Sequence, residues 1–421
     1  MPATSTPTQL NAATGFSFEI TATLPAGQGR AGIIHTPHGD IATPAFIPVG
    51  TQASVKAVLP EQIRDLGAQA VLANAFHLYL QPGADIVDVA GGLGAFMNWP
   101  GPTYTDSGGF QVMSLGSGFK KVIEMEAVPR ADDKASAGGR KRLSNVDEDG
   151  VDFRSPRDGS RHRFTAEVSM GIQHRLGADI MFCFDELTTL ANTYPYHEAS
   201  LRRTQRWAER CLAEHVRLTY ERVGKPYQAL FAVVQGAQYE DLRRTACRGL
   251  AATEHEGWRF DGYGIGGALE KHAIGEIVGW CAEELPVDKP RHLLGISEPE
   301  DVFVAVAAGA DTFDCVMPSR VARNAAVYTA TGRYNVDNAA YRRDFGPLED
   351  GCDCYTCTHY TRAYLHHAFK AREMIAATLA TIHNERFTVR LVDDIRNAIE
   401  TGVFAECRDA FFAHYRRRQV Q

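Results

Sequence analysis

The feature that most constrains the fold is a regular alternation of short, β-rich apolar runs with longer segments of helical periodicity. The runs are TPAFIPV (43–49), AVLANAF (70–76), PTYTD (102–106), DIMFCFD (179–185), ALFAVVQ (229–235), YGIGG (263–267), HLLGI (292–296) and TFDCV (312–316). Among the intervening segments, LRRTQRWAERCLAEHV (201–216) has the clearest helical pattern, with apolar residues three and four apart and charges opposite. Eight strands alternating with helices predict an α/β protein with a parallel (β/α)8 TIM barrel. A doubly wound open sheet is the alternative.

Two stretches interrupt this alternation. Residues 124–150 are polar and rich in alanine, glycine and charge, which predicts a mobile insertion. Residues from about 341 to 384 contain a cluster of cysteines and predict a zinc subdomain. Because the chain shows neither an internal repeat nor a long linker, we predict a flexible N-terminus over 1–15 and a single barrel domain over 16–421, with both elements embedded in it.

Composition limits the compartment and the partners. No apolar run approaches the roughly 20 residues of a membrane helix, and the N-terminus does not resemble a signal peptide. Nine cysteines in such a chain indicate a reducing, cytoplasmic setting, with thiols free or bound to metal. The formal net charge of −7 argues only weakly against a nucleic-acid partner, because binding depends on a local basic patch.

The cysteine cluster predicts a structural zinc site. Cys352, Cys354 and Cys357 fall within six residues, and His383 follows 26 residues later. Three thiolates and one imidazole would form a closed tetrahedral set, which leaves no open position for catalysis. Spacing alone leaves the fourth ligand open, because the sequence also offers His359, His366 and His367. Residues 361–383 look like one long helix, so His383 reaches the cysteines only if the chain doubles back.

Three aspartates lie where predicted strands end, namely Asp106, Asp185 and Asp314. In a parallel barrel these ends carry the chemistry. One carboxylate can trap the oxocarbenium-like centre formed when an N-glycosidic bond breaks, while a second moves protons on the departing and arriving base. Composition and spacing do not identify the nucleophile, and each aspartate could instead cap a helix or form a turn.

Residues near these ends suit a flat, purine-like base. Asp185 could accept hydrogen bonds from the N–H edge of the base, and Phe110 could stack on its face. Gln235 and the backbone of Gly267 could bind its carbonyl group. The small residues at these strand ends allow a flat ligand to approach the backbone closely.

Seven motifs, in a common order, carry a family resemblance. They are TDSGGFQVMSL (105–115), FDE (184–186), VVQG (233–236), GIGG (264–267), GISEPED (295–301), DTFDCVMPSRVARN (311–324) and the Cys-x-Cys-x-x-Cys…His set. From roughly Phe16 to the C-terminus the chain resembles the tRNA-guanine transglycosylases (queuine tRNA-ribosyltransferases) of bacterial type. The resemblance implies a homodimeric barrel enzyme with one structural Zn²⁺ per subunit, which binds the tRNA anticodon loop.

The activity implied by this resemblance is an exchange of bases in tRNA. Guanine at the wobble position of G-U-N anticodons (tRNAs for aspartate, asparagine, histidine and tyrosine) is replaced by 7-aminomethyl-7-deazaguanine. The exchange is a double displacement through a covalent aspartyl-ribosyl-RNA intermediate, and it is a step of queuosine biosynthesis.

The resemblance also implies residue roles. Asp314 matches the nucleophile, Asp106 matches the proton acceptor for the incoming base, and Cys352, Cys354, Cys357 and His383 match the zinc ligands. The residues matching the base pocket are Asp106, Ser107, Gly108, Gly109, Phe110, Asp185, Gln235, Gly266 and Gly267. The residues matching RNA contacts are Gly295, Ile296, Ser297, Glu298, Pro299, Glu300, Asp301, Ser319, Arg320, Val321, Ala322 and Arg323. Arg320 and Arg323 could hold phosphates, although solvated surface arginines are the alternative.

Three departures from the family pattern concern the side of the pocket that should meet the substituent of a 7-deaza ring. Leu187 stands where bacterial members commonly have Cys, Phe110 stands where Tyr is usual, and Ala268-Leu269-Glu270 replaces Leu-Ala after the glycine pair. Preformed queuine is therefore an alternative incoming base, and Glu270 could pair with an aminomethyl cation.

Two other functions compete with base exchange. A retaining nucleoside or glycoside hydrolase could use the same two aspartates, but the zinc element and the arginines after Asp314 argue against it. A non-catalytic, zinc-bearing RNA-binding subunit should have lost the paired aspartates, and both Asp106 and Asp314 are present.

Overall fold

The computed structural model describes residues 14–117, 144–267, 269 and 271–415. Its strands are β1 (Ser17–Thr23), β2 (Arg30–Thr36), β3 (Gly39–Thr43), β4 (Ala45–Pro48), β5 (Val71–Ala73), β6 (Thr103–Thr105), β7 (Ser144–Val146), β8 (Gly150–Arg154), β9 (Arg161–Thr165), β10 (Ile180–Phe182), β11 (Ala229–Val234), β12 (Gly262–Ile265), β13 (Arg291–Leu293), β14 (Thr312–Cys315), β15 (Ala326–Thr329) and β16 (Gly332–Asn335).

The helices follow the strands along the chain. They are α1 (Pro60–Asp65), α2 (Ala75–Leu80), α3 (Ala84–Val89), α4 (Leu93–Met97), α5 (Gly109–Ser117), α6 (Ala166–Leu176), α7 (Tyr194–Glu221), α8 (Glu240–Ala252), α9 (Ile274–Glu284), α10 (Pro299–Ala307), α11 (Met317–Ala322), α12 (Tyr355–His359), α13 (Arg362–Lys370), α14 (Met374–Glu400) and α15 (Phe404–His414). Two short 3₁₀ helices span Lys271–Ala273 and Ala339–Arg343.

Eight strands of the described chain form one sheet in the order β4-β14-β13-β12-β11-β10-β6-β5. A parallel bridge between Val49 and Leu72 joins the two ends of this order, and helices separate successive strands. The fold is therefore a (β/α)8 barrel, as predicted. A doubly wound sheet would reverse its strand order at a switch point, whereas these strands run in sequence around a closed sheet. All eight predicted strands and the helix predicted over 201–216 are confirmed.

The chain divides into two compact units, and the first comprises 1–17, 74–93 and 104–289. Within it, β10 pairs in parallel with β11, and β11 with β12. Every residue of β11 is buried, as expected for a parallel strand covered on both faces. The strands β7, β8 and β9 form a separate antiparallel sheet. Helix α6 packs against α7 and begins after Thr165, whose side chain accepts a hydrogen bond from Val168 N.

The second unit comprises 18–73, 94–103 and 290–421. Its strands β13, β14 and β4 are parallel, with His292 opposite Thr312 and Asp314 opposite Ile47. The long helix α14 packs against α11, α12 and α13. A small apolar core lies among these elements, formed by Ala322, Ala325, Val327, Val336, Leu348, Leu365, Leu379 and Ala380.

The prediction of one long helix over 361–383 is wrong. Helices α13 and α14 occupy this stretch, separated by Ala371, Arg372 and Glu373. Arg372 has φ +60°, a left-handed conformation that cannot continue a right-handed helix. Glu373 has extended backbone geometry and caps the N-terminus of α14. The two helices pack together, so the chain doubles back as the metal set requires.

Most of the predicted insertion and N-terminal segment lies outside the described residues. Within 124–150, the structure describes 144–150 as β7, a turn and the start of β8. The predicted domain boundaries therefore stay predictions. Among the helices of the described ranges, none combines the length and the apolar composition that crossing a bilayer requires.

Candidate active site and metal cluster

Asp106 follows β6 directly, and hydrogen-bond donors surround its carboxylate. Oδ1 accepts from Ala75 N at 2.8 Å, and Oδ2 accepts from Gln111 Nε2 at 3.2 Å. Asn74 Nδ2 also donates to Oδ2, while the Asn74 oxygen caps α2 by accepting from His77 N at 3.0 Å. These three donors fix the orientation of the Asp106 carboxylate. Ala75 is the first residue of α2, so the Asp106 carboxylate also satisfies a backbone N–H at the start of that helix.

Asp185 lies in a buried network with two other predicted pocket residues. Ser107 Oγ donates to Oδ1 at 3.1 Å, and Gln235 Nε2 donates to Oδ2 at 2.6 Å. Burial raises the pKa of Asp185 to about 6, against the opposing effect of the hydrogen bonds from Gln235 and Ser107. The structure therefore joins Ser107, Asp185 and Gln235 into one group, which adjoins Asp106 through Ser107.

An unused acceptor lies beside the glycine pair that ends β12. Gln235 Oε1 is buried and has no hydrogen-bond partner among the described residues. A Cβ on Gly267 would come within 2.7 Å of this oxygen, and φ at Gly267 is +92°. Gly266 donates its N–H to Val234 O at 3.1 Å. Only glycine therefore fits at position 267. A ligand at this position could contact both the Gly267 backbone and the Gln235 amide.

The motif after Asp106 places small residues against Asp185 and an aromatic ring towards solvent. A Cβ on Gly109 would lie 2.8 Å from Asp185 O, and Gly108 has φ +78°. Phe110, the predicted stacking residue, is 39% exposed, so its ring is available to a ligand. Leu187 is half-buried, and Ala268 and Glu270 lie outside the described residues.

Arg243 is a residue near this pocket that the sequence did not reveal. It is fully buried on α8 and donates to Val234 O at 2.9 Å and to Ala237 O at 2.8 Å. These two hydrogen bonds hold the backbone on both sides of Gln235, at Val234 and at Ala237. A Cβ on Gly267 would lie 3.2 Å from Arg243 Nη2, so the guanidinium also lies against the glycine pair. The only sequence signal was an arginine on the apolar face of a helix.

Asp314 lies in β14, and its carboxylate is held on one side. His292 Nε2 is 3.1 Å from Oδ1, and Gly295 N donates to the same oxygen at 3.1 Å. The Asp314 side chain is 14% exposed, whereas that of His292 is completely buried. Gly295 belongs to the predicted RNA-contacting stretch, and His292 was not predicted as a site residue.

The stretch 295–301 leads into α10. Gly295 is exposed with φ +80°, whereas Ser297 and Pro299 are buried. Glu298 occupies the N-cap position of α10, and its side chain forms a partly buried ion pair with Arg333 at 3.1 Å. Ile296, Glu300 and Asp301 are partly exposed. The groups of this stretch most open to RNA are therefore Gly295 and the side chains of these last three residues.

The stretch 319–323 forms most of α11 and its C-cap. Ser319 and Ala322 are buried, and Arg320, Val321 and Arg323 are partly exposed. Arg323 Nη1 donates to Ser319 O at 2.9 Å. Burial and then the charge of Arg320 lower the pKa of Arg323, against the opposing charge of Glu385. Two neighbouring arginines make this end of α11 locally positive in an acidic protein.

Cys352, Cys354, Cys357 and His383 form one cluster, with ligand atoms all within 4.8 Å of one another. His383 Nδ1 lies 3.6 Å from Cys352 Sγ, 3.5 Å from Cys354 Sγ and 3.3 Å from Cys357 Sγ. Tetrahedral zinc, with bonds of about 2.3 Å to sulfur and about 2.0 Å to nitrogen, would separate such atoms by about 3.6 Å. The spacing therefore fits a tetrahedral metal ion.

The histidine of the cluster is already oriented as a ligand. His383 Nε2 lies 2.7 Å from Tyr328 O, so this nitrogen donates to the carbonyl and Nδ1 faces the three sulfurs. Of the other candidates, His366 Nδ1 lies 3.2 Å from Val336 O, and His359 and His367 are exposed. The structure thus resolves the choice that spacing left open, and the cluster could bind a metal ion.

These observations define the class of protein. The chain is a (β/α)8-barrel protein with aspartates at the ends of barrel strands and a separate Cys3His cluster of the closed, structural type. In a barrel of this class, chemistry is expected at the ends of the strands.

Comparison with known proteins gives the family. The family model described as queuine tRNA-ribosyltransferase matches residues 26–417. The chain is 43% identical over 400 residues to the queuine tRNA-ribosyltransferase of Symbiobacterium thermophilum, covering 94% of this chain and 91% of that protein. It is 44% identical over 386 residues to the protein of the same name from Thermoanaerobacter pseudethanolicus, covering 92% and 94%. For the protein of that name from Staphylococcus epidermidis, the identity is 42% over 399 residues, covering 95% and 96%. The chain belongs to this family and is a pentosyltransferase.

Proposed function

We propose that this chain exchanges guanine at the wobble position of tRNAs with G-U-N anticodons for 7-aminomethyl-7-deazaguanine, in queuosine biosynthesis. The tRNAs are those for aspartate, asparagine, histidine and tyrosine. The observation that carries the proposal is the buried network of Asp185, Ser107 and Gln235, which offers a carboxylate and an unused amide oxygen to a planar base. Membership of the family supplies tRNA as the polymer that bears the base.

Recognition of the base follows from these groups. Asp185 accepts hydrogen bonds from the N–H edge of guanine, because an ionised carboxylate is an acceptor only. Gln235 Nε2 keeps one hydrogen on Asp185 and, together with the backbone N–H of Gly267, donates its second hydrogen to the carbonyl group of the base. The exposed ring of Phe110 stacks on the base.

The first displacement uses Asp314. An electron pair on its carboxylate forms a bond to C1′ of the ribose, and the pair of the C1′–N9 bond leaves with guanine. The base must turn out of its stack first, at a cost of about a few kcal/mol, and an anticodon loop lowers that cost. Arg320 and Arg323 hold phosphates beside the reacting ribose.

The second displacement restores the enzyme. Asp106 takes the proton from N9 of the incoming base, whose electron pair then bonds to C1′ while the carboxylate of Asp314 leaves. Asp106 suits this role because three hydrogen-bond donors hold its carboxylate in a fixed orientation. Two displacements at one carbon retain the configuration of the ribose.

The Cys3His cluster holds one structural Zn²⁺ per subunit in this proposal. The ion ties α12 to α14 and supplies no chemistry to the exchange, because four protein ligands leave it no open position. A homodimer in the cytoplasm, as expected from the family resemblance, is also part of the proposal, and sedimentation of the purified protein tests the dimer.

The nucleophile is tested by trapping the intermediate. We expect the native protein with tRNA to form a denaturant-resistant protein–RNA adduct and to incorporate labelled guanine without ATP. Asp314→Asn should form no adduct and should lose at least about 10³-fold in exchange rate, because an amide is a poor nucleophile. Asp337→Asn, at an exposed aspartate paired with Lys370, is the matched control. An adduct in Asp314→Asn would place the nucleophile elsewhere, and no incorporation into G-U-N tRNAs by the native protein would refute the exchange.

The identity of the incoming base is a separate question. We expect 7-aminomethyl-7-deazaguanine to outcompete queuine for the same tRNA, because the chain resembles the bacterial members of the family. Glu270, three residues after Gly267 in the sequence, is the proposed partner of the aminomethyl cation. Glu270→Gln should narrow the preference. A preference for queuine in the native protein would reverse the assignment of the base without affecting the chemistry.

A further inference from the structure

His292 contacts the proposed nucleophile from inside the barrel sheet. It lies on β13 and is completely buried. Its Nε2 is 3.1 Å from Asp314 Oδ1, and its Nδ1 is 2.8 Å from Thr312 Oγ1. A histidine that is fully buried and uses both ring nitrogens in the same network has a fixed orientation.

The pairing of the strands explains how one histidine reaches both partners. His292 lies opposite Thr312 in the parallel register of β13 and β14. Asp314 follows Thr312 by two residues, so both side chains point to the same face of β14. The imidazole ring of His292, on the neighbouring strand β13, therefore lies between the Thr312 hydroxyl and the Asp314 carboxylate.

The hydrogen bonds determine where the ring proton lies. An ionised carboxylate can only accept, so the nitrogen facing Asp314 must carry the proton. In the neutral ring Nδ1 is then an acceptor, and it takes the hydrogen of the Thr312 hydroxyl. Thr312 thus selects the tautomer that donates to Asp314.

Both contacts to Asp314 end on the same oxygen. His292 Nε2 and Gly295 N lie at 3.1 Å from Oδ1. We propose that His292 is a positioning residue which, with the Gly295 N–H, holds Oδ1 and so commits Oδ2 of Asp314 to the ribose. This inference rests on the proposed role of Asp314 as the nucleophile.

The donors on Oδ1 act differently in the two displacements. When Oδ2 bonds to C1′, the carboxylate becomes a neutral ester and Oδ1 becomes its carbonyl oxygen. When the C1′–Oδ2 bond breaks, its electron pair returns to the carboxylate, and the negative charge is shared with Oδ1. Donors aimed at that oxygen stabilise the developing charge, as in an oxyanion hole. His292 therefore accelerates breakdown of the intermediate more than its formation.

Single-turnover measurements on position 292 test this role. Adduct formation is followed with excess enzyme, and adduct decay by a chase with labelled guanine. In His292→Phe, which keeps a ring without a donor, we expect decay to slow by about 10- to 100-fold, the effect of a hydrogen bond to a charged group. Formation should change less, so the adduct accumulates at steady state. His292→Gln replaces the donor and should recover most of the decay rate.

Two further variants separate positioning from general damage. Thr312→Val removes the hydroxyl that selects the tautomer and should slow decay to an intermediate extent. His366→Phe removes a buried histidine that contacts Val336 O and should leave both rates unchanged. Loss of folded protein lowers the amplitude of a single turnover but not the ratio of decay to formation, so this ratio reports positioning.

These experiments distinguish a failure of the inference about His292 from a failure of the proposed function. Wild-type decay in a folded His292→Phe would overturn the inference, while the absence of an adduct in Asp314→Asn would leave the nucleophile in place. If His292→Phe does not fold, the decay rates of Thr312→Val and His292→Gln test the inference instead. Slowed decay in Thr312→Val with near-native decay in His292→Gln supports the inference, and native decay in Thr312→Val overturns it.

Discussion

At the residue scale, burial changes the acidity of Asp185, the residue predicted to bind the base. Asp185 is 8% exposed, and its burial raises its pKa from 3.8 to about 6. Gln235 and Ser107 donate to the carboxylate and limit this rise. Asp185 is therefore ionised at neutral pH but lies close to the range in which it takes up a proton.

This pKa predicts a pH dependence of base binding. A carboxylate accepts the N–H edge of guanine, and its protonated form loses that capacity in part. Because the folded pKa is about 6, affinity for guanine should be constant above pH 7 and fall as the pH decreases through 6, by up to about tenfold per unit. Calorimetric titration with guanine from pH 5 to 8 measures this effect. Asp185→Asn should bind weakly at every pH, and a flat profile in the native protein would contradict the prediction.

At the element scale, the Cys3His cluster links α12 to α14, two helices that also pack on each other. Cys354 caps α12 with its sulfur, which accepts from Cys357 N at 3.3 Å, and His383 lies inside α14. The reversal at Arg372 brings α13 and α14 together beside the cluster. Without the ion, three thiols would face a buried imidazole with nothing to bind them together.

Metal removal should therefore destabilise the second unit. We expect chelation to lower the melting temperature by about 5 °C or more, since a structural zinc ion contributes several kcal/mol to folding. Cys354→Ser should lower it in the same direction, whereas Cys407→Ser, at a cysteine outside the cluster, should leave it unchanged. Chelation with no change in melting temperature would count against a structural metal.

A second prediction at this scale concerns the pair of helices α6 and α7. His174 Nε2 lies 3.0 Å from His215 Nδ1, and both rings are buried. Burial, with the charge of Arg222, lowers the pKa of His215 to about 3. Burial and then the charge of His215 lower the pKa of His174 well below its usual value. The pair is therefore neutral, and its charged form belongs to the unfolded chain.

Acid should loosen these two helices. Their folded pKa values lie below the unfolded value of about 6.5, so stability is complete above that pH and is lost as the pH falls. Each histidine should lower the free energy of unfolding by up to about 2 kcal/mol as the pH falls from 6.5 to 5. Hydrogen exchange of the amides of α6 and α7 measures the loss. In the double variant His174→Gln/His215→Gln, the hydrogen exchange of these helices should depend much less on pH. His359→Gln, at an exposed histidine, should leave this pH dependence unchanged.

At the scale of the whole molecule, an acidic protein must bind a polyanion. The formal net charge is −7, yet Arg320 in α11 and Arg323 at its C-cap form a local pair of cations, of which Arg323 is partly offset by the charge of Glu385. Other arginines of the described chain are paired with a carboxylate, as Arg202 is with Glu198 and Arg333 with Glu298. Local cations, and not the overall charge, would then determine affinity for RNA.

This distribution predicts the salt dependence of RNA binding. Each phosphate contact on a single strand contributes about 0.7 to the slope of log affinity against log salt concentration. Arg320→Ala/Arg323→Ala should therefore reduce the slope by about 1.4, and Arg202→Ala should not change it. Binding of an anticodon stem-loop from 50 to 300 mM salt measures the slopes. An unchanged slope in the double variant would mean that the two arginines are solvated surface residues that do not contact phosphates.

The barrel could be predicted because its strands are buried on both faces. Such strands give continuous apolar runs that are separated by helical periodicity, and all eight were found from this pattern. Local rules failed at 361–383, because the periodicity continues through Arg372 while the backbone reverses there. Nothing in the composition of that stretch distinguishes a straight helix from two helices packed on each other.

The sequence by itself determined the order of strands and helices, the aspartates at strand ends and the set of sulfur ligands, because these depend on near neighbours in the chain. Spacing left the fourth ligand open, and the tertiary structure shows that His383 and not His366 faces the sulfurs. Only the tertiary structure decided that Arg243 holds the loop of Gln235 and that His292 contacts Asp314. These contacts join residues far apart in sequence. Their geometry depends on strand register and helix packing, which no local pattern of residues encodes.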